Sequence, residues 1–387
     1  MFSRFFRAIF SVAPLDKPLA YIACRVLPKF DYAIVYGWPD YEDSALALQE
    51  ALNKTRIRKV IFVTGGRRKN SAFCLQQKTK VFHKKNIRAR LYCLFSKYVF
   101  FTHRCFMWRF PPNVVSVNVW HGMPIKRVGR MLEGEPELTG RYTLATSEFW
   151  ADIMRKAMAP WDRVLVTGLP RNDRLFSNPN SVWSRLGFSN DSFRKKIAWL
   201  PTFRNAVCGS LYRDGKESGN IFGMTGVTAE KLNEFLKQQN AFAFVKPHPM
   251  ARFEKNVELS NLLVVDDQWL RDRGLTLYEV LGQMDILVSD ISSVVVDYLI
   301  LDRPVIHSFP DLAEYESSRG FSINPVTDYL VGPVATNVEE LYGCLAQVLQ
   351  GDDSHAEQRR RIRKLFHKNT DDNSTNRLLQ HLGLLLK

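Results

Sequence analysis

The segment DILVSDISSVVVDYLILDRPVIHSF (residues 285–309) is the clearest indication of fold class in this chain. Its first and last parts (285–290 and 303–309) are apolar runs of strand length, and the part between them (291–301) has a helical pattern. Two buried strands joined by a helix form a parallel β-α-β unit. In such a unit, polar residues at the end of the first strand lie on the edge of the sheet that binds ligands.

The same alternation extends back toward the N-terminus of the 387-residue chain. Further strands are predicted at residues 31–37, 59–66, 113–122, 163–173, 192–204, 240–249 and 261–267. Residues 89–103 predict a helix or a pair of strands. We therefore expect the α/β class, with two doubly wound, Rossmann-like domains that face a central cleft. The predicted domains are 30–185 and 186–387, with the polar segment 177–191 as their linker.

The N-terminal segment, residues 1–29, begins MFSRFFRAIFSVAP, in which phenylalanines recur at helical spacing beside two arginines. A signal peptide would need a longer uninterrupted apolar stretch and a cleavage site. The pattern favours a short amphipathic helix in the headgroup layer of a membrane. A terminal helix packed on the protein's own core is the alternative. No apolar run reaches the roughly 18–20 residues needed to span a bilayer.

The charge balance is strongly positive, because 54 Lys and Arg face 39 Asp and Glu, which gives a net charge of +15. Such an excess fits nucleic acid, an anionic membrane surface or a phosphorylated small substrate. A hydrophobic content of 45% excludes disorder for most of the chain. The six cysteines are scattered without a CxxC pair, which favours free thiols over a zinc site or a disulfide framework. No metal site is predicted.

A histidine follows one of the predicted strands in the segment WHGMPIKRVG (120–129). His121 at a strand end can act as a general base near neutral pH. Gly122 permits a tight turn and a close approach of a ligand, and Lys126 begins a basic cluster. A single histidine at such a position also serves as a structural hydrogen-bonding residue, and the sequence leaves both interpretations open.

Two other strand ends carry residues that suit a phosphate. In KPHP (246–249), Lys246 offers a compact positive charge and two prolines restrict the backbone of His248. A rigid surface turn is the alternative. In SDISS (289–293), helix N-terminal amides and serine hydroxyls can cradle a phosphate, although an ordinary helix cap also explains them. Asp290 would repel a phosphate and is expected to order the loop.

Together with GLPRND (168–173) and PTFR (201–204), these motifs resemble the CDP-glycerol glycerophosphotransferase family, the bacterial teichoic acid primases and polymerases. WHGMPIKRVG matches the family's W-H-G-T-P-x-K-x-x-G, with Met123 where Thr is usual. SDISSVVVDY (289–298) matches its S/T-D-x-S-S-x-x-x-D-Y. Near the C-terminus, DDNSTNR (371–377) resembles the family ending D-G-x-x-x-x-R. The motifs occur in the family's order over about residues 30–380.

The resemblance implies a GT-B-type transferase whose C-terminal domain binds the donor nucleotide. Glycerol phosphate would pass from CDP-glycerol to a hydroxyl of a membrane-linked acceptor, with release of CMP, and His121 would deprotonate that hydroxyl. Positive charges and helix N-termini can stabilise phosphoryl transfer without a metal. We therefore expect no cofactor, and the sequence leaves a divalent cation open. Because Met123 has no hydroxyl, any hydrogen bond of the usual Thr is missing or moved.

The resemblance assigns three groups of site residues. The expected catalytic residues are His121 and His248. The expected donor-binding residues are Lys246, Thr202, Arg204, Ser289, Asp290, Ser292, Ser293 and Asp297. The other expected cleft residues are Gly122, Lys126, Arg171, Asp173 and Arg377, although Arg171 and Asp173 could also simply pair with each other.

Three alternatives to a CDP-glycerol enzyme remain at the level of sequence: a CDP-ribitol transferase, a GT-B glycosyltransferase that uses a nucleotide sugar, and a basic nucleic-acid-binding protein. The dense basic run EQRRRIRKLFHK (357–368) favours the last of these, but a helix face near anionic lipid explains it equally well. We expect a CDP-alditol, a lipid-linked or polymer acceptor and an anionic membrane surface as partners, without nucleic acid. The expected location is peripheral, on the cytoplasmic face of the membrane, in teichoic-acid-like or capsular polymer synthesis.

Overall fold

The computed structural model describes residues 18–66, 73, 76–103, 106–107, 109–133, 140–158, 163–201, 207–208, 212–213, 222–248, 256–290, 292–312, 316 and 320–385. These residues divide into two compact units whose chain segments interleave. The first unit contains the described residues of Met1–His121, Pro136–Arg174 and Asp371–Lys387. The second contains those of Gly122–Glu135 and Leu175–Thr370.

The first unit contains a seven-stranded parallel sheet. Its strands are β1 (Phe30–Tyr36), β2 (Lys59–Thr64), β3 (Thr79–His83), β4 (Ser96–Phe101), β5 (Val115–Asn118), β6 (Tyr142–Ala145) and β7 (Val164–Val166). They lie in the order β3-β2-β1-β4-β5-β6-β7. The direction of winding therefore reverses between β1 and β4. In doubly wound sheets, ligands bind outside the carboxyl ends of the strands at this point.

In the part of the chain that the structure describes, four helices accompany this sheet: α1 (Pro18–Val26), α2 (Asp43–Asn53), α3 (Ile87–Phe95) and α4 (Glu148–Ala157). Helix α2 begins where the Glu42 carboxylate accepts hydrogen bonds from the backbone N–H groups of Ser44 and Ala45. Helix α4 begins at Ser147, whose hydroxyl accepts the N–H of Trp150 at 3.4 Å. Apolar side chains from α1, α3 and strands β1, β2 and β4 form a core on this unit.

The second unit contains another seven-stranded sheet and a two-stranded hairpin. Its strands are β8 (Lys195–Leu200), β9 (Val207–Cys208), β10 (Tyr212–Arg213), β11 (Ala241–Val245), β12 (Val257–Glu258), β13 (Leu262–Val264), β14 (Ile286–Ser289), β15 (Val305–Ser308) and β16 (Val334–Ala335). The large sheet has the order β12-β13-β11-β8-β14-β15-β16. Its neighbours are parallel except for β12, which pairs antiparallel with β13. The winding reverses between β8 and β14.

Within the described residues, the second unit contains seven helices, and an eighth helix follows them. They are α5 (Pro179–Leu186), α6 (Ala229–Gln238), α7 (Asp267–Asp272), α8 (Leu277–Leu281), α9 (Ser293–Tyr298), α10 (Val338–Leu349), α11 (Ala356–Phe366) and, back in the first unit, α12 (Ser374–His381). The succession β14-α9-β15 is the β-α-β unit predicted from residues 285–309, and β14 and β15 pair in parallel. This part of the sequence analysis is confirmed.

The structure corrects the predicted domain organisation in three places. Residues 177–191 are not a linker, because α5 lies within them and buries Trp183 at 1% exposure. The units separate at Arg174/Leu175, and Gly122–Glu135 belongs to the second unit. Helix α12 belongs to the first unit, where it packs against α2. The predicted amphipathic segment lies mostly outside the described residues.

The cysteines and the apolar helices can be examined in the described residues. Cys24 and Cys93 are buried in the first unit as thiols outside any disulfide. Within the described ranges, no helix has both the length and the apolar composition needed to cross a membrane.

Candidate functional site

Four aromatic side chains gather at the carboxyl edge of the first sheet. Trp38 follows β1, His103 follows β4, and Trp120 and His121 follow β5. The His121 ring stacks on the His103 ring, with centroids 4.5 Å apart and planes 11° from parallel. The centroid of the Trp120 ring lies 4.1 Å from that of His121, and Trp38 meets His103 edge-on at 5.3 Å. The group therefore lies where the sheet reverses its winding, as expected of a ligand site.

The turn that carries His121 has unusual backbone conformations on both sides. Trp120 has a φ of 56°, a left-handed value that costs a residue with a side chain roughly 1–3 kcal/mol. The Trp120 N–H donates to Asn118 Oδ1 at 2.9 Å, which compensates part of that cost. Gly122 follows at a φ of 121°, which suits glycine. His121 is exposed between these two buried neighbours, so a ligand can reach its ring.

His103 is the functional candidate that the sequence analysis missed. Its Nδ1 is hydrogen-bonded to Thr102 Oγ1 at 3.0 Å, and the same oxygen accepts the backbone N–H of Trp38 at 3.1 Å. Burial lowers the pKa of His103 to about 4, so the ring is neutral at physiological pH. Its position directly after a strand, like that of His121, was the available signal.

Arg171 is buried within the first unit. Its exposed fraction is 8%, and its positive charge acts on Glu42, the residue that caps α2. Burial raises the pKa of Glu42 to about 7, and Arg171 opposes part of that rise. The structure therefore gives Arg171 an electrostatic role within the first unit.

Asp173 and Arg377 hold the start of the C-terminal helix. The two carboxylate oxygens of Asp173 accept the backbone N–H groups of Ser374 and Thr375, each at 2.8 Å. Arg377 donates to the Thr167 carbonyl at 3.0 Å and pairs with Asp371 at 2.8 Å. The GLPRND and DDNSTNR motifs thus meet within the first unit, where they fix the start of α12.

The carboxyl edge of the second sheet collects charged residues. Lys246, after β11, is 6% exposed and pairs with Asp267 at 2.8 Å. Asp266 caps α7 by accepting the Trp269 N–H, and Asp267 neutralises Lys246. Asp290, after β14, is 3% exposed.

His248 lies within the electric field of this charged group. Burial, together with the positive charges of Lys246 and Lys126, lowers the pKa of His248 to about 4, against the opposing effects of Asp267 and Asp290. Lys126 is fixed by a bridge between its backbone and that of Phe321. The structure thus brings two predicted lysines and the predicted histidine into one group, with His248 neutral at physiological pH.

The three serines and Asp297 of the motif SDISSVVVDY have different structural roles. Ser292 caps α9 by accepting the Val294 N–H at 3.5 Å, and Ser293 is the first helical residue. Ser289 is buried and donates to the Leu200 carbonyl at 2.8 Å, so it joins β14 to β8. Asp297 is also fully buried and accepts the Tyr278 hydroxyl at 2.6 Å. Ser289 and Asp297 therefore have structural contacts within the second unit, and their expected contact with the donor stays a prediction.

Two expected donor-binding residues, Thr202 and Arg204, lie outside the described residues. Among the residues that are described, no group of three or more His, Cys, Asp or Glu side chains is arranged to hold a metal ion.

Comparison with known proteins identifies relatives over nearly the whole chain. The profile of a family described as CDP-Glycerol:Poly(glycerophosphate) glycerophosphotransferase matches residues 23–383. A teichoic acid glycerol-phosphate transferase of Staphylococcus aureus is 25% identical over 299 residues, which cover 70% of this chain and 71% of that protein. The ribitol-phosphate polymerase TarK of the same species is 25% identical over 293 residues, 71% of this chain and 53% of TarK.

Solved structures agree on the fold. A variant of the wall teichoic acid polymerase TagF superimposes with a TM-score of 0.74 at 20% sequence identity, covering 99% of this chain and 93% of that one. The ribitol-phosphate polymerases TarK and TarL are much longer proteins, and this chain covers about half of each, 53% and 48%. The superposition on TagF establishes the two-unit, GT-B-like architecture.

Proposed function

Because the chain belongs to the CDP-glycerol:poly(glycerophosphate) glycerophosphotransferase family, we propose that it transfers glycerol phosphate from CDP-glycerol to an acceptor hydroxyl and releases CMP. The observation that carries this proposal is the exposed His121 ring at the carboxyl edge of the first sheet, stacked on His103. This ring is accessible to an acceptor hydroxyl, and its position after a strand is the one where doubly wound folds carry out chemistry.

In the proposed reaction, His121 removes the proton of the acceptor hydroxyl. The oxygen then attacks the phosphorus atom that carries glycerol, and the bond from this phosphorus to the oxygen shared with the CMP phosphate breaks. A new phosphodiester forms, and CMP leaves with the bond electrons. Most of the catalytic effect in phosphoryl transfer comes from positioning and from neutralising charge on the phosphate oxygens.

The second unit carries groups that suit the diphosphate of the donor. Lys126 and Lys246 carry positive charge near His248, and the neutral His248 ring can donate an N–H to a phosphate oxygen. We assign the diphosphate to these residues and to the Ser292–Ser293 start of α9. Thr202 and Arg204 remain proposed contacts on the strength of the PTFR motif.

CDP-ribitol is the second candidate donor. It is favoured by the similarity to TarK and TarL, whose names give ribitol phosphate as the unit they polymerise, at 25% and 24% identity. The same residues would serve either donor, since the two differ in the alditol and share the nucleotide diphosphate.

We also propose that the acceptor is linked to a lipid or a polymer, and that the protein works at the cytoplasmic face of an anionic membrane. The net charge of +15 and the phenylalanine- and arginine-rich N-terminal sequence support this part of the proposal. Teichoic-acid-like or capsular polymer is the proposed product.

The deciding experiment incubates the purified chain and a lipid-linked acceptor with CDP-glycerol, CDP-ribitol or nucleotide sugars, and measures CMP or nucleoside diphosphate release. We expect turnover with a CDP-alditol. His121→Ala should lower turnover by roughly 10²–10⁴-fold, the usual contribution of a general base, while binding of CDP-glycerol changes little.

His381→Ala is the matched control, since His381 lies at an exposed position at the end of α12. It should retain normal turnover. Turnover of a sugar nucleotide with no use of either CDP-alditol would refute the proposed reaction. A fully active His121→Ala protein would remove the base role from His121.

A further inference from the structure

We infer that His103 is a positioning residue for the general base, holding the His121 imidazole in one plane by face-to-face stacking. This inference rests on the proposed function for its kinetic consequence only. The stacking itself is a structural property that can be measured without any turnover.

An exposed histidine needs such support. The torsion that rotates an imidazole about its Cβ–Cγ bond has a broad energy profile, so a ring without neighbours samples many orientations. A base must instead point one nitrogen at the hydroxyl proton, and small errors of position greatly reduce the rate. His121 is exposed, but the rings of Trp120 and His103 restrain it. Their centroids lie 4.1 Å and 4.5 Å from the centroid of the His121 ring.

His103 is itself fixed from two sides. The Thr102 hydroxyl is hydrogen-bonded to its Nδ1 at 3.0 Å, and the Trp38 ring meets it edge-on at 5.3 Å. Thr102 is fully buried and also receives the backbone N–H of Trp38. The end of β4 and the end of β1 therefore lock the ring against which His121 lies.

The charge state of His103 suits this role. When His121 takes the proton from the acceptor it becomes an imidazolium, and a second positive ring 4.5 Å away would repel it. Burial keeps His103 neutral at physiological pH because it lowers its pKa to about 4. A neutral aromatic face attracts a cation instead, so the stack stabilises the protonated base as well as its orientation.

The test compares two substitutions of His103. His103→Phe keeps an aromatic face and removes the ring nitrogens, whereas His103→Ala removes the face. We expect His103→Ala to lower kcat by roughly 10- to 100-fold, with the KM for CDP-glycerol nearly unchanged, and His103→Phe to restore most of kcat. His83→Ala is the matched control, because His83 ends β3 at the edge of the same sheet and contacts the Gly65 carbonyl. It should leave kcat unaltered.

A second readout is the NMR signal of the His121 Cε1 proton, which the ring current of a stacked aromatic group shields. We expect this signal to move downfield in His103→Ala and to stay shielded in His103→Phe. An unshifted signal in His103→Ala would refute the stack even if the protein turned over no CDP-alditol. A loss of kcat in His103→Phe as large as in His103→Ala would refute positioning by stacking, since it would mean that the ring nitrogens are needed.

Discussion

At the scale of single residues, burial of histidines has a consequence for stability. Burial lowers the pKa of His103, His248 and His307 to about 4. In an unfolded chain a histidine titrates near 6.5. Between these values the unfolded state binds protons that the folded state does not, so these residues reduce stability as the pH falls from about 6.5 toward 4.

We predict that His307→Gln loses less stability on acidification than the natural protein does. His307 is 2% exposed and its Nε2 accepts the Val331 N–H at 3.2 Å, a bond that a glutamine oxygen can also accept. The pH of 5 lies about 1.5 below the pKa of histidine in the unfolded chain. Protonation of that histidine in the unfolded chain therefore lowers the free energy of unfolding by about 2 kcal/mol at pH 5. Urea unfolding at pH 7.5 and pH 5 measures how much the free energy of unfolding falls on acidification, and this fall should be smaller in His307→Gln by up to the same amount. The exposed His381→Gln serves as a control, and an unchanged loss in His307→Gln would contradict the prediction.

Sequence reasoning located individual site residues unevenly. His121 and His248 could be singled out because glycine or proline beside them marks a constrained turn after a strand. His103 lacked such a neighbour, and its contact with His121 joins the ends of two strands that the sequence does not identify as neighbours in the sheet. Ser289 and Asp297 matched a motif, but a motif does not reveal which of its side chains point into the core.

At the scale of elements, helix α12 depends on a carboxylate from a distant part of the chain. Asp173 accepts two backbone N–H groups at its start, a role normally filled by the residue just before a helix. We predict that Asp173→Ala lowers the free energy of unfolding by about 1–2 kcal/mol, because two helix N–H groups lose their acceptor. Asp372→Ala, at an exposed neighbouring position, is the control.

The measurement is urea unfolding together with limited proteolysis of residues 371–385. Faster cleavage there in Asp173→Ala than in Asp372→Ala is the expected result. Equal stability of the two variants would show that Asp173 does not hold the helix.

Elements were predicted well where the apolar pattern was strong. Strands β2, β11 and β14 are almost continuous runs of apolar residues, as expected of strands covered on both faces, and the buried ends of β1 and β8 follow the same pattern. Strand β3 (TKVFH) was missed because it lies at the sheet edge and keeps polar residues. Helix α5 was mistaken for a linker because its polar residues outnumber the few, such as Trp183, that it buries.

At the scale of the whole molecule, the positive charge should govern membrane association. Besides the N-terminal sequence, α11 exposes Arg360, Arg361 and Lys364. We predict that the chain sediments with phosphatidylglycerol vesicles and not with phosphatidylcholine vesicles, and that rising salt releases it, since each basic residue near an anionic surface contributes about 1 kcal/mol.

Deleting residues 2–12 should weaken this sedimentation. Replacing the segment by a polar sequence that keeps its arginines should recover only part of the sedimentation. If the intact chain fails to sediment with phosphatidylglycerol vesicles at low salt, the membrane part of the proposed function is wrong. Sedimentation that does not change on deletion would refute the role given to the N-terminal sequence.

The return of α12 to the first unit also bears on how the protein is made. A ribosome synthesises the seven strands of the first sheet well before Ser374–His381, yet the first unit is completed only when that helix packs against α2 and meets Asp173. The part of the chain that is translated first therefore reaches its complete native packing only after the second unit has been synthesised.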